Sequence, residues 1–119
     1  MYQAINFTEK EGLYYPDSVR EMKRLAQKTR WEKEILLDAY KRIDPGKSKT
    51  ELYNKILEVE WMIDDVKKVV KDYEAMGVKS LMYYARNTKL CQNLENSLKR
   101  IRGRHDRIHE VYEKYKKGA

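Results

Sequence analysis

The chain has 119 residues, of which 41% are hydrophobic and 38% charged, and its formal net charge is +7. A chain of this length is sufficient for one domain with its own core, and its apolar content is too high for a disordered polymer. No apolar run approaches the roughly 18 residues that cross a bilayer, so we expect no membrane-spanning helix in this sequence.

Two features of the sequence favour the cytoplasm. The first residues, MYQAINFTEKEG, lack the basic segment, the apolar core and the cleavage site of a signal peptide. The single cysteine, Cys91, has no second cysteine with which to form an internal disulfide. We therefore expect a protein of a reducing compartment.

The N-terminal part of the chain predicts an arm followed by a long helix. Residues 1–15 have only weak periodicity, and we interpret them as an apolar arm laid on the rest of the domain. Ser18-Val-Arg-Glu21 has the spacing of a capping box, in which the first and last side chains bond to each other's backbone N–H groups. Apolar residues then recur at helical spacing, which predicts the first helix over about 18–43.

The second predicted helix, over about 49–76, has the clearest pattern. It follows the helix-breaking turn Asp44-Pro45-Gly46 and ends before Gly77, where a left-handed C-cap residue is expected. Its apolar residues alternate spacings of four and three, which is the heptad pattern of a coiled coil. These residues are Leu52, Ile56, Val59, Ile63, Val66, Val70 and Tyr73.

A second apolar row on this helix consists of Tyr53, Leu57 and Trp61. The interpretation that we favour is a central helix that contacts a neighbour on each of two faces. The alternative is an exposed aromatic anchor for another protein.

The third predicted helix, over about 80–117, is the longest. Unbroken, it would extend for about 55 Å, whereas its partners would reach about 40 Å. It therefore either bends at Gly103 or projects beyond its partners, and a second copy of the chain is the simplest cover for a projecting apolar end. The fold prediction is one all-α domain over 1–119, with three long helices in an antiparallel bundle or coiled coil that forms a homodimer.

Two polar residues, Asn87 and His105, interrupt the apolar seam of this third helix. A polar residue at such a position often fixes the register or the oligomeric state of a coiled coil. We expect both residues to lie at a protein interface, together with Ile108 and Tyr112 of the same helix.

The net charge is unevenly distributed along the sequence. Residues 61–119 carry 14 basic and 8 acidic side chains, a net of +6, whereas residues 1–60 have a net of +1. A basic patch on one element suggests a polyanionic partner, because arginine offers paired donors to phosphate oxygens. The predicted nucleic-acid-binding residues are Arg86, Lys89, Lys99, Arg100, Arg102, Arg104 and Arg107.

The segment Arg104-His-Asp-Arg-Ile-His109 resembles the Arg-x4-His signature of HEPN ribonucleases. The resemblance implies a small all-α dimer in which Arg104 and His109 of two protomers form a metal-independent site that cleaves RNA. From the residues alone, the simpler interpretation is a polar seam residue beside a solvated basic face.

Metal binding has little support in the sequence. His105 and His109 share one helix face, and Asp106 or Glu110 could be a third ligand. There is no HExxH motif and no second cysteine, so we predict no metal site and no cofactor.

Three functions remain as hypotheses at this point. The first is a non-enzymatic helical protein that binds nucleic acid or a nucleoprotein through the basic third helix. The second is a regulatory or inhibitory protein that acts by protein–protein contact, for example on a machine that handles nucleic acid. The third is the HEPN-like ribonuclease.

Overall fold

A computed structural model of the chain describes residues 5–117, apart from the side chain of residue 117. Within that range the protein is all-α and contains no strand, as predicted. Four helices pack against one another: α1 (Asp17–Arg42), α2 (Lys47–Ala75), α3 (Leu81–Arg86) and α4 (Thr88–Lys117). Helices α1 and α2 begin and end within two residues of their predicted bounds.

The three long helices form an elongated bundle with extents of 54 × 26 × 20 Å. Helices α1 and α2 are antiparallel, since Tyr40 of α1 contacts Tyr53 of α2 while Lys33 pairs with Glu60. Helix α4 packs against both of them and is antiparallel to α2. The core between them includes Met22, Leu36, Leu52, Met62, Ile63, Val66, Leu98, Ile101 and Ile108.

The predicted third helix is in fact two helices, because the helical conformation is interrupted at Asn87. This residue leaves the helical region, with φ −90° and ψ 79°. Its side-chain Oδ1 accepts a hydrogen bond from the N–H of Leu90 at 3.1 Å, so it caps the start of α4. Of the two alternatives left open for this helix, an interruption at Gly103 is not observed, because Gly103 lies inside α4.

The break also removes the expected difference in length. Helix α4 has 30 residues and α2 has 29, and both therefore extend for about 45 Å. The long projecting end from which the sequence predicted a second copy is not formed.

The start of α1 differs from the predicted capping box. The helix begins one residue earlier, at Asp17, and its N-terminal flanking residue is Pro16, without a side-chain cap. The carbonyl of Pro16 accepts hydrogen bonds from the N–H groups of Val19 and Arg20. Glu21 pairs with Arg24 rather than with the helix start, because Ser18 lies inside the helix and not at its N-cap.

The described part of the N-terminal arm lies on the bundle. Ile5, Phe7 and Leu13 are partly buried against the core, and Tyr15 is buried. The N–H of Tyr14 bonds to the carbonyl of Val78 at 2.8 Å. Gly77, at φ +65°, closes α2 in the left-handed conformation expected of its C-cap.

Among the described residues, no helix has the length and apolar character that crossing a membrane requires.

Candidate functional site

The basic residues of α4 do not form one continuous free surface. Arg100 donates two hydrogen bonds to the carboxylate of Asp65 on α2, at 2.9 and 2.8 Å. This hydrogen bonding raises the pKa of the Arg100 guanidinium. A paired donor set of this kind is already occupied, so Arg100 is less available to a phosphate group.

The pairing of α4 with α2 follows a seven-residue repeat. Acidic residues recur on α2 at Glu51, Glu58, Asp65 and Asp72, and basic residues recur on α4 at Arg100, Arg107 and Lys114. Two pairs bridge the helices, Asp65 with Arg100 and Glu51 with Lys114 at 3.4 Å. We refer to these two rows as the α2–α4 charge ladder. It neutralises part of the excess positive charge within the chain itself.

The basic residues nearest the N-terminal end of α4 have different surroundings. Arg86 and Lys89 are exposed and line an open groove of about 670 Å³ at the junction of α3 and α4. Tyr83, which is 56% exposed, lines the same groove. The remaining lining residues are Ser80, Met82, Asn87 and Thr88. We call this surface the α3–α4 corner.

The α3–α4 corner belongs to a stretch of the sequence whose charged side chains are all basic. No aspartate or glutamate occurs between Glu74 and Glu95, whereas Lys79, Arg86 and Lys89 fall in that stretch. The first turn of α4 also has no acidic residue, so its N–H groups add positive potential. An anion would meet both side-chain and backbone donors here.

The other predicted nucleic-acid-binding residues lie further along α4. Lys99, Arg102 and Arg107 are exposed, and Arg104 is partly buried. The hydrogen bond from Arg24 is the main cause of the lowered pKa of Glu21 on α1, and the positive charge of Arg102 adds to it. The structure therefore distributes these residues over both flanks of α4.

The predicted protein-interface residues are also separated. His105 and Ile108 are buried inside the bundle of one chain, Tyr112 is partly buried, and Asn87 caps α4. Tyr53 and Trp61 are exposed on α2. Tyr53 nevertheless contacts the neighbouring helix, since its ring lies 6.3 Å from that of Tyr40 on α1. Trp61 is 55% exposed, and the packing of α2 at this level uses Met62 and the heptad seam.

A buried polar cluster joins α1 to α4. Its central residue, Glu32, was not among the residues predicted from the sequence. Glu32 of α1 is only 3% exposed. Its Oε2 lies 2.7 Å from Nδ1 of His109, and its Oε1 lies 3.5 Å from Nε2 of His105. The two imidazole rings stack with centroids 5.5 Å apart, because residues four apart share a helix face.

The two histidines hold Glu32 in its charged form. Burial alone would raise the pKa of Glu32, but its interactions with the imidazoles of His105 and His109 outweigh burial, so this pKa lies below its usual range. A signal for this site existed in the sequence. Glu32 continues the spacing of the apolar seam of α1 between Ala26 and Leu36.

Each histidine also faces a second carboxylate on α4. Nδ1 of His105 lies 3.4 Å from Oδ1 of Asp106, and Nε2 of His109 lies 3.3 Å from Oε1 of Glu113. Both rings therefore have one nitrogen directed to Glu32 and the other to an acid nearer the surface.

Arg104 and His109 are not brought together within the chain. Five residues apart on one helix, they project about 140° from each other. His109 contacts Glu32, Glu113 and the ring of Tyr112. A site that uses both residues would need Arg104 from another protomer.

Comparisons with known proteins found no matching family model, no similar curated protein and no similar solved structure. The function is therefore argued from the geometry of the chain.

Proposed function

We propose that the protein is a non-enzymatic helical binding protein of the cytoplasm that contacts single-stranded nucleic acid, free or in a nucleoprotein, through the α3–α4 corner. The observation that carries the proposal is the placement of an exposed tyrosine, Tyr83, in the same groove as Arg86 and Lys89. Nucleobases stack on aromatic rings, and guanidinium and ammonium groups bind the phosphates between them.

The distribution of acidic residues supports the corner over the rest of the basic helix. The α2–α4 charge ladder holds Arg100 and Lys114 against carboxylates, whereas the stretch from 75 to 94 contains no acid. A polyanion approaching the corner would meet basic side chains and no acidic side chain of that stretch. The other predicted basic residues, Lys99, Arg102, Arg104 and Arg107, then add long-range attraction rather than direct contact.

The test is fluorescence anisotropy of the full chain with labelled single-stranded and double-stranded RNA and DNA over a salt series. We expect log K to fall linearly with log salt, with a slope of roughly 0.7 per phosphate neutralised on a single strand. The double variant Arg86→Glu, Lys89→Glu should weaken binding at least tenfold, and Tyr83→Ala by about tenfold.

Lys99→Glu is the matched control, since Lys99 is an exposed cation of α4 outside the corner. It should change affinity by less than about threefold at physiological salt, where the Debye length is about 8 Å. Equal losses in the control and in the corner variants would contradict the proposal, as would the absence of binding at low salt.

A second function, regulation or inhibition by protein–protein contact, is favoured by a different surface. Trp61, at 55% exposed, and Tyr53 lie on the outer face of α2 with Leu57 beside them. Exposed aromatic side chains are typical anchors of protein interfaces, and a second copy of the chain, in a homodimer or coiled coil, is the partner that we propose for them. Sedimentation equilibrium tests this idea, since Trp61→Glu should abolish a dimer and a monomeric wild type would reject it.

The ribonuclease implied by Arg104 and His109 remains a minor candidate. Within one chain His109 is engaged by Glu32, and it therefore lacks the free imidazole of a general base. RNA cleavage that is lost in both Arg104→Ala and His109→Ala would establish it.

A further inference from the structure

The cluster of Glu32, His105 and His109 has the composition of a metal site. Its three candidate ligand atoms, one from each residue, all lie within 4.8 Å of one another. Two imidazoles and one carboxylate are a ligand set that Zn²⁺ uses when it keeps a fourth position open. The ligands come from two helices, so an ion held here would tie α1 to α4.

Two buried atoms of the cluster point to a missing central charge. Oε1 of Glu32 and Nε2 of His105 face each other at 3.5 Å, and neither has a hydrogen-bond partner among the described residues. Their residues are only 3% and 5% exposed. Buried polar atoms are rarely left unpaired, so an additional partner at this point is expected.

Two distances within the cluster lie near the separation of ligands in a tetrahedral site. Ligand atoms bound to one Zn²⁺ at about 2.0–2.1 Å are separated by about 3.3 Å. The gap of 3.5 Å between Glu32 and His105 is already close to that value. The 2.7 Å hydrogen bond between the other oxygen of Glu32 and His109 would have to lengthen on binding. The three ligand atoms, which lie within 4.8 Å of one another, would have to move towards a common centre.

The outer carboxylates orient the imidazoles for metal binding. Asp106 faces Nδ1 of His105, which leaves Nε2 directed to Glu32, and Glu113 faces Nε2 of His109, which leaves Nδ1 directed to Glu32. Each ring can thus donate its far N–H to an acid and present its near lone pair inward. Such carboxylate–histidine pairs are the usual outer shell of a histidine-bound metal.

An opening beside the cluster provides access for the ion. An open pocket of about 360 Å³ is lined by Glu32, His109 and Glu113, with Lys28, Trp31, Tyr112 and Lys116 around them. The fourth coordination position would face this pocket, where water would complete the tetrahedron.

We infer that Glu32, His105 and His109 bind one divalent transition-metal ion, with Zn²⁺ as the best match, and that Asp106 and Glu113 orient the two histidines. Zn²⁺ suits the mixed nitrogen and oxygen ligands because it has no geometric preference from its d electrons. The inference is independent of the nucleic-acid surface, which lies at the other end of α4.

The first experiment is calorimetric titration of the chelator-stripped full chain with ZnCl₂. We expect one ion per chain. Thermal unfolding at a free Zn²⁺ concentration of 100 times Kd should shift Tm upward by roughly 5–10 °C. Titration with CoCl₂ should give the visible absorption bands of a tetrahedral Co²⁺ ion, which reports ligand geometry separately from stability.

Single substitutions distinguish the proposed metal-binding residues from residues that only lie near the site. His109→Ala and Glu32→Gln should each abolish the one-to-one site, and His109→Ala is expected to fold because His109 is partly exposed. Asp106→Asn and Glu113→Gln should weaken binding about 10–100-fold. Glu110→Gln, an exposed acid next to His109, and Cys91→Ser, which removes the only thiol, should leave binding unchanged.

Far-UV circular dichroism of each variant shows whether it is folded before titration. The inference is overturned if the folded wild type takes up no Zn²⁺ at about 100 μM, since a dissociation constant above that concentration would be weak for a protein zinc site. It is also overturned if the one-to-one site survives both His109→Ala and Glu32→Gln.

Discussion

Glu32 is a buried carboxylate whose partners are the imidazoles of His105 and His109 and not an arginine or a lysine. Its two oxygens face different histidines, at 2.7 and 3.5 Å, and both histidines come from α4. A carboxylate in this position has lost most of its hydration, so the interaction with its partners decides whether the charge is tolerated. The residue therefore couples the packing of α1 to that of α4.

Removing the Glu32 carboxylate should destabilise the fold. We expect Glu32→Ala to lower the free energy of unfolding by about 3 kcal/mol or more, because two histidines lose their partner and a buried void is left. Urea denaturation measures the change. Glu34→Ala, an exposed glutamate two residues further along α1, is the control and should change stability by about 0.5 kcal/mol or less. Equal effects in both variants would contradict the role of Glu32.

Tyr73 should make the fold sensitive to alkaline pH. Burial, reinforced by the neighbouring phenol groups of Tyr84 and Tyr14, raises the pKa of Tyr73 from 10.0 to about 12. Between these values the unfolded chain loses a proton that the folded chain retains. The stabilisation is therefore complete below about pH 10 and is lost as the pH rises towards 12.

Chemical denaturation at pH values from 9 to 12 tests this. The contribution of Tyr73 to stability should change only between its two pKa values, about 10 and about 12. In Tyr73→Phe the fall in stability over that window should be smaller by roughly 1–3 kcal/mol. Tyr53→Phe, at an exposed tyrosine, should keep the wild-type profile. A Tyr73→Phe profile as steep as that of the wild type would show that Tyr73 titrates normally.

At the scale of elements, the α2–α4 charge ladder explains why a chain with a high positive charge packs two of its helices side by side. The acidic row on α2 and the basic row on α4 have the same seven-residue repeat and run in opposite directions. Charge pairs beside an apolar seam select partner and orientation in coiled coils. The ladder therefore favours the antiparallel register that is observed.

A double-mutant cycle between Asp65 and Arg100 measures one step of the ladder. Each charge reversal, Asp65→Lys or Arg100→Glu, should destabilise the protein by up to about 1 kcal/mol, since both side chains are partly exposed. The double reversal should recover part of the loss, with a coupling of about 0.3–1 kcal/mol. Asp65→Lys combined with Lys99→Glu should recover nothing. Additive losses in the first pair would mean that the hydrogen-bonded pair contributes no stability.

The long helices could be predicted from the sequence because their apolar periodicity is local information. The break at Asn87 was missed because asparagine on an apolar seam fits both a buried register residue and an N-cap, and only the backbone distinguishes the two. The polar cluster was missed for another reason. His105 and His109 are visible as a pair, but their partner Glu32 is 73 residues before His105, and pairing the two depends on the packing of α1 on α4.

At the scale of the whole molecule, the α2–α4 charge ladder neutralises part of the positive charge along the bundle, whereas the stretch 75–94 at the α3–α4 corner contains no acid. The molecule is about twice as long as it is wide, at 54 × 26 × 20 Å. The charge ladder lies along its length, and the α3–α4 corner lies at one end of α4. An elongated molecule of this kind would bind a polyanion through its end, leaving the outer face of α2 available to another protein.

The measurement that tests the central claim most directly is a nuclear magnetic resonance titration of the ¹⁵N-labelled full chain with a single-stranded oligonucleotide. Two-dimensional amide spectra report which residues sense the ligand. We predict that the largest shifts occur over residues 80–89, in α3 and the first turn of α4, and that they weaken as salt is added. Shifts centred on residues 99–107 with little change at 80–89 would contradict the account, because the basic middle of α4 would then be the binding surface.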